Sequence, residues 1–179
     1  MKKLLILIVI VIAGLGIFYV LRDNSATNNS NNTADENGNF RPSPRNATFT
    51  FEDGPITLSD GRSERVAFNL VEETRLLDDI SYGELNTDDK DDAAVLLVRS
   101  GGGSGVFVYA AAYVSGPVGY KGTGAIFLGD RISPQSISVS NGIVTVHYLD
   151  RAADEPFAAE PTVPSSKQFI YRNGTFQER

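Results

Sequence analysis

The chain has no cysteine, no tryptophan, one histidine and one methionine among its 179 residues. Without cysteine there is no disulfide framework, and no residue to carry the lipid of a lipoprotein signal. The missing tryptophan argues against a sugar-stacking surface. A lone histidine, His147, leaves little for a nucleophilic triad, and no Gly-x-Ser-x-Gly elbow marks a serine for it. In the alternating stretch "IVTVHYL" it shares a strand face with Ile143, Thr145 and Leu149. No repeat of roughly 20–50 residues points to a propeller or solenoid. The glycine-rich "SGGGSG", Ser100 to Gly105, lacks the Lys-[Ser/Thr] of a phosphate loop. A strand follows it, so it reads as a hairpin whose backbone amides are open to contact.

What the chain does have begins with an uncharged run, "LLILIVIVIAGLGIFYVL", from Leu4 to Leu21. As a helix it would be about 27 Å long, close to a bilayer's hydrocarbon thickness. It ends Phe18-Tyr19-Val20-Leu21-Arg22 without a small-x-small cleavage site, which favours an uncleaved anchor. Lys2 and Lys3 precede it, and Arg22 and Asp23 cancel after it. The expected topology is single-pass, with a cytoplasmic N-terminus and everything after the span outside the cytoplasm. Asn, Ser, Thr and Ala then dominate, with too little apolar surface to offset ordering entropy. The expected organisation is an anchor over 1–22, a flexible linker over 23–45 and one exported β-rich domain over 46–179.

Within that domain, strand signals are frequent and helix signals weak. "ATFTF" alternates, while "DAAVLLV" and "GVFVYAAAYV" are continuous apolar runs that suit central strands covered on both faces. "GAIFLGD" and "GIVTVHYLD" are further strands. Asn141-Gly142 and Asn173-Gly174 are two-residue hairpin turns. In "ERVAFNLVEETRLLDD" the apolar positions Val66, Phe68 and Leu70 have period two and favour strand, with a short helix near Glu72–Asp79 as the alternative. "EPFAAEPTVPSSK", Glu155 to Lys167, reads as an exposed loop able to meet a partner. The expected fold class is mainly β, an antiparallel sandwich or barrel-like sheet, preceded by one transmembrane helix and a disordered tether.

The net charge of −6 has a local origin. From Glu72 to Asp92 nine acidic residues face only Arg75 and Lys90. Nucleic acid is excluded as a natural partner, because phosphate neutralisation needs a basic surface. A divalent cation is a natural counter-charge. In "ELNTDDKDD" oxygen ligands fall at alternate positions: Glu84, Asn86, Asp88, the Lys90 carbonyl and Asp92. Leu85 is expected to turn into the core. The spacing offers a hard-oxygen shell for one calcium ion, which would stabilise the fold by binding only the native state.

This stretch resembles the calcium loops of dockerins and of FG-GAP-type repeats. Glu84 stands where those have Asp, and Asp89 where they have Gly. The order "DDKDDAAVLL", "GGGSGVFVY", "FLGDRISPQ", "GIVTVHYLDRAADEP" and "SKQFIY" is similar to a group of uncharacterised bacterial proteins with an N-terminal anchor. That resemblance implies a shared fold and a fuller ancestral Asp-x-Asn-x-Asp-Gly loop. The main functional expectation is an anchored, extracytoplasmic binding or structural module that is not an enzyme. The rival is a cell-envelope hydrolase using carboxylates or His147. The Asp130-Arg131 and Asp150-Arg151 pairs, both at strand ends, read as turn-capping ion pairs or as a carboxylate-binding rim.

Overall fold

Two long apolar strands set the architecture. The computed structural model describes residues 32–34, 40–67 and 69–179. The expected span at Leu4–Leu21, most of the expected tether and Phe68 lie outside these. Among the described residues no helix is long and apolar enough to cross a membrane. Asn31–Arg179 form one compact unit. In chain order the strands are β1 (Asn32–Ala34), β2 (Phe40–Pro42), β3 (Thr48–Phe51), β4 (Gly54–Thr57), β5 (Arg62–Ala67), β6 (Leu70–Leu76), β7 (Ser81–Gly83) and β8 (Asp92–Gly101). They continue with β9 (Val106–Val114), β10 (Lys121–Gly122), β11 (Ile126–Asp130), β12 (Ser133–Ser140), β13 (Ile143–Asp150), β14 (Val163–Arg172) and β15 (Thr175–Glu178).

The protein is mainly β, built of antiparallel sheets, and one sheet curls as a half-barrel. That sheet runs β10-β9-β8-β6-β5, with β11 also on β9 and β7 also on β8. A second sheet runs β12-β13-β14-β15. The hairpins β1–β2 and β3–β4 form two-stranded sheets of their own, and Thr50 of β3 bridges Gly124, between β10 and β11.

β8 and β9 are apolar at successive positions because both of their faces are covered. Ala94 and Leu96 of β8, with Val108, Ala110, Ala112 and Val114 of β9, pack on Ile137, Val144, Val146, Tyr148, Phe169 and Phe176 of the four-stranded sheet. The opposite face, with Ala93, Val95, Leu97, Tyr109, Ala111 and Tyr113, packs on Phe49, Phe51 and Ile56 of the β3–β4 hairpin. The alternation in β13 follows the same logic: Val144, Val146 and Tyr148 are buried and His147 is exposed. The inner edge of β12 is met by side chains: Ser81 Oγ accepts from the Val139 amide at 2.9 Å and Asp79 from the Ile137 amide at 3.3 Å. Such pairing blunts an otherwise open strand edge.

Both Asn-Gly turns adopt two consecutive left-handed residues, Asn141 and Gly142 at φ 51 and 73°, Asn173 and Gly174 at 53 and 78°. That twist matches the flanking strands. The strand reading of the stretch through Leu76 holds over the helical alternative. The segment Glu72–Asp79 carries strand β6 and a bend, with no helix, because β5 and β8 supply hydrogen-bonding partners on either side. Two expectations need correction. Ordered structure begins before residue 46: Phe40–Pro42 is a strand, Pro44–Asn46 a 3-10 turn, and Pro42, Ser43 and Pro44 are buried. Prolines that stiffen a tether here also pack. Finally, the loop expected at Glu155–Lys167 stops at Val163, where β14 begins to pair with β13. Pro164 is tolerated near the start of that strand.

Candidate functional site

The loop between β7 and β8 is bent throughout, and Thr87 and Asp89 hold left-handed φ values of 66 and 61°. Asp accepts that conformation at a cost that glycine avoids. Leu85 is 4% exposed and belongs to the core shared with the four-stranded sheet. It pins the loop from below.

The carboxylate of Glu84 organises the loop's amides. Its Oε1 accepts from the Asn86 amide at 2.8 Å and the Thr87 amide at 2.6 Å, and its Oε2 from the Lys90 amide at 3.1 Å. Asn86 Oδ1 accepts from the Asp88 amide at 3.1 Å, and Asp88 Oδ1 from the Lys90 amide at 3.2 Å. These are side-chain turns that let short polar residues replace missing ladder bonds.

Three of the groups expected to surround an ion, those of Asn86, Asp88 and Asp92, meet at Ser115, the residue after β9. Asn86 Nδ2 donates to the Ser115 carbonyl at 2.9 Å and to its Oγ at 3.1 Å. Ser115 Oγ donates to Asp88 Oδ2 at 2.6 Å. The Ser115 amide donates to Asp92 Oδ1 at 2.8 Å, and the Leu85 amide to Asp92 Oδ2 at 2.9 Å.

Asp92 is 0% exposed. As the first residue of β8 it has the same face parity as Ala94 and Leu96, which lie in the core. It therefore serves two backbone amides, and the nearby Glu84 charge is, after burial, one of the influences on its carboxyl. Lys90 contributes its amide, and its ammonium lies 3.6 Å from Asp88 Oδ2. Among the described residues no three acidic or histidine side chains are grouped closely enough to hold a metal. Of the expected ligands, Asn86, Asp88 and Asp92 share Ser115 as a hydrogen-bond partner, and Glu84 accepts from the Asn86, Thr87 and Lys90 amides.

The electrostatics divide the loop. Burial pushes the Asp92 carboxyl up from its ordinary value, against the pull of the Ser115 and Leu85 amides. The hydrogen bond from Ser115 holds the Asp88 carboxyl below its ordinary value. Ser115 was not legible as a site residue. The available signal was a small polar residue directly after the apolar run of β9.

On the outer flank of the loop, Phe40, Asp89, Lys90, Asp91 and Tyr120 line an open cavity of about 580 Å³. The Phe40 and Tyr120 rings lie 5.8 Å apart, and Tyr120 lies 5.4 Å from Tyr113. Tyr120 Oη donates to the Asp91 carbonyl at 3.0 Å. Burial first, then the charges of Asp92, Asp88 and Asp91, push the Tyr120 phenol up.

A second polar cluster sits where the β3–β4 turn meets the curled sheet. Arg99 donates to both oxygens of Asp53, at 2.8 and 2.9 Å, and Arg65 also reaches Asp53. Arg65 Nε donates to Glu72 at 2.8 Å, and the Arg99 guanidinium lies 4.8 Å from the Phe51 ring centre. The Arg99 hydrogen bond is the leading cause that holds the Asp53 carboxyl far below the usual carboxylate range. A cavity of about 180 Å³ beside it is lined by Glu72, Arg99, Ser100, Gly101, Phe107 and Tyr109. The cluster fastens the hairpin that covers one core.

The remaining sequence candidates are spread out. His147 is exposed and faces Ser136 and Ser166 across its two ladders. Asp130 pairs with Arg131 at 2.9 Å and accepts from the Val106 amide at 2.9 Å, as a turn-capping pair does. Asp150 accepts from the Arg151 backbone amide, while the Arg151 guanidinium binds the Ala159 and Arg131 carbonyls. The "SGGGSG" stretch joins β8 to β9 as an exposed turn, with Gly102 at φ 62°. Comparison with family models, curated proteins and solved structures finds no match for this chain.

Proposed function

We propose that this chain is a membrane-anchored, extracytoplasmic binding or structural module without catalytic chemistry of its own. Leu4–Leu21 is the anchor in this reading, the N-terminus is cytoplasmic, and the β-rich domain is displayed outside. One observation supports it above the others. The polar side chains of the β7–β8 loop, Glu84, Asn86, Asp88 and Asp92, are occupied by backbone amides and by Ser115. Groups used in this way tie the β7–β8 turn to the end of β9, and they are poorly available as acids, bases or nucleophiles. A hydrolase built on His147 would need an enclosing concave site, and His147, with Ser136 and Ser166 opposite it, lies on an open strand face.

Calcium is the second reading. The side-chain turns at Asn86 and Asp88 and the left-handed Asp89 favour it, since calcium loops use the same local bends. Thermal unfolding of the full chain in detergent, with chelator or with millimolar calcium, separates the two. A tied loop predicts a melting temperature indifferent to calcium and lowered by Ser115→Ala. A rise with calcium that Asp88→Ala abolishes would replace the lock by an ion site. Turnover of ester, amide or glycoside substrates that disappears in His147→Ala would overturn the non-catalytic reading.

A further inference from the structure

The flank of the acidic loop carries charge that the described residues do not pair. Glu84, Asp88 and Asp92 all have donors, but the Asp89 and Asp91 carboxylates have no hydrogen bond or ion pair with the described residues. Both line the same cavity as two aromatic rings. Phe40 is 47% exposed and forms an aromatic contact with Tyr120 at the cavity. Its strand neighbour Arg41 turns the other way, with its guanidinium 4.9 Å from the Tyr82 ring centre, so Phe40 is left facing outward. Tyr120 is held in place by its hydrogen bond to the Asp91 carbonyl and by Tyr113 behind it.

We propose that the cavity walled by Phe40 and Tyr120 and rimmed by Asp89 and Asp91 binds an alkylammonium group, and prefers a quaternary one. The chemistry is complementary in two ways. Aromatic faces attract a cation through the ring quadrupole, most effectively when that cation is weakly hydrated. The two free carboxylates supply the long-range attraction and a counter-charge at the rim. Among the described lining residues Lys90 is the positive group, and its ammonium lies 3.6 Å from Asp88, with no ion pair to Asp89 or Asp91. At about 580 Å³ the space accommodates a bulky head group and part of its alkyl substituent. A primary ammonium keeps its hydration shell more tightly and gains less from ring faces. The inference goes beyond the proposed module and is independent of whether the acidic loop binds an ion.

The test is calorimetric titration of the full chain in maltoside micelles, with backbone amide shifts read for residues 89–91 and 120. Three probes are used: choline, n-butylammonium, and the neutral alcohol in which a tert-butyl group replaces the trimethylammonium head. Saturable choline binding is expected, about tenfold tighter than the neutral alcohol, with n-butylammonium between them. Shift changes centred on the cavity are expected to accompany it. Phe40→Ala and the double variant Asp89→Asn/Asp91→Asn are each expected to weaken choline about tenfold. Both act at solvent-facing positions, and an unchanged melting temperature verifies that the variants are folded. Equal affinity for choline and its neutral analogue would overturn the proposal and leave an apolar groove. So would the absence of saturable binding to the folded chain, or shifts that fall elsewhere.

Discussion

Replacing Asp92 by alanine is the sharpest perturbation of the loop's wiring. The carboxylate is wholly buried and its two oxygens are the acceptors for the Leu85 and Ser115 amides, at 2.9 and 2.8 Å. Both residues are themselves buried. Alanine leaves two buried amides without acceptors, each costing about 1–3 kcal/mol. Removing a charge from the interior offsets part of this, since burial already pushes that carboxyl up. The expected net loss is about 2–4 kcal/mol, a large share of the roughly 5–15 kcal/mol that keeps a domain folded. For a domain of this size that is a drop in melting temperature of about 5–15 °C. Asp92→Asn should lose less, because it keeps one acceptor, but its amide nitrogen then opposes a backbone N–H. The order of stability is therefore wild type, Asn, Ala. Circular dichroism with urea and heat measures it, and tyrosine fluorescence serves as a second probe in a chain without tryptophan. Hydrogen exchange gives the local reading: the Leu85 and Ser115 amides should lose protection beyond the global change. An alanine variant within about 1 kcal/mol of wild type would falsify the reasoning. An Asn variant more stable than wild type would do the same, by making the buried charge a net liability.

Two further perturbations test how the hairpin cover is held. Asp53→Asn should destabilise by about 1 kcal/mol at neutral pH, modest because the Asp53 side chain is 41% exposed and water screens the pair. Its folded carboxyl is depressed by Arg99 and then Arg65, so the unfolded chain takes up the proton first. The wild-type advantage should be full well above pH 4 and shrink as pH falls below about 4, the ordinary Asp value. Melting temperatures of both proteins from neutral to acid pH check this, and a gap that widens on acidification would reverse the sign. Gly122→Ala should cost about 1–3 kcal/mol, because a Cβ there drives into the Thr48 carbonyl and the Phe49 ring. Gly103→Ala, with open space around its Cβ, is the matched control and should be close to neutral in the same denaturation assay.

Much of the fold was legible because its signals are local. Two adjacent residues specify each Asn-Gly turn, and unbroken apolar runs marked β8 and β9 as strands covered twice. Leu85 was legible as an inward residue within a polar loop. The chemistry of that loop was not. Asp88, Asp89, Asp91 and Asp92 are four residues of one type within five positions, yet they divide into three roles. Asp88 meets Ser115, Asp92 enters the core, and Asp89 and Asp91 line the cavity without a carboxylate partner among the described residues. Ser115 lies 27 positions from Asp88, and Asp53 lies 46 from Arg99. No local pattern announces a partner at such a separation.

By itself the amino-acid sequence determined the strand-rich character, the hairpin turns and the concentration of negative charge before β8, since each follows from periodicity, turn chemistry or counting along the chain. The expected span at Leu4–Leu21 has the same kind of basis in apolar length. Only the tertiary structure decided what the carboxylates face. The register of β7 on β8 sets Gly83 opposite Asp92 and begins the strand there, which turns Asp92 inward with Ala94 and Leu96. The end of β9 then delivers Ser115 to the loop. Which acid is buried, which is tied and which is free depends on pairing between distant strands, and side-chain direction in a strand is set by that register.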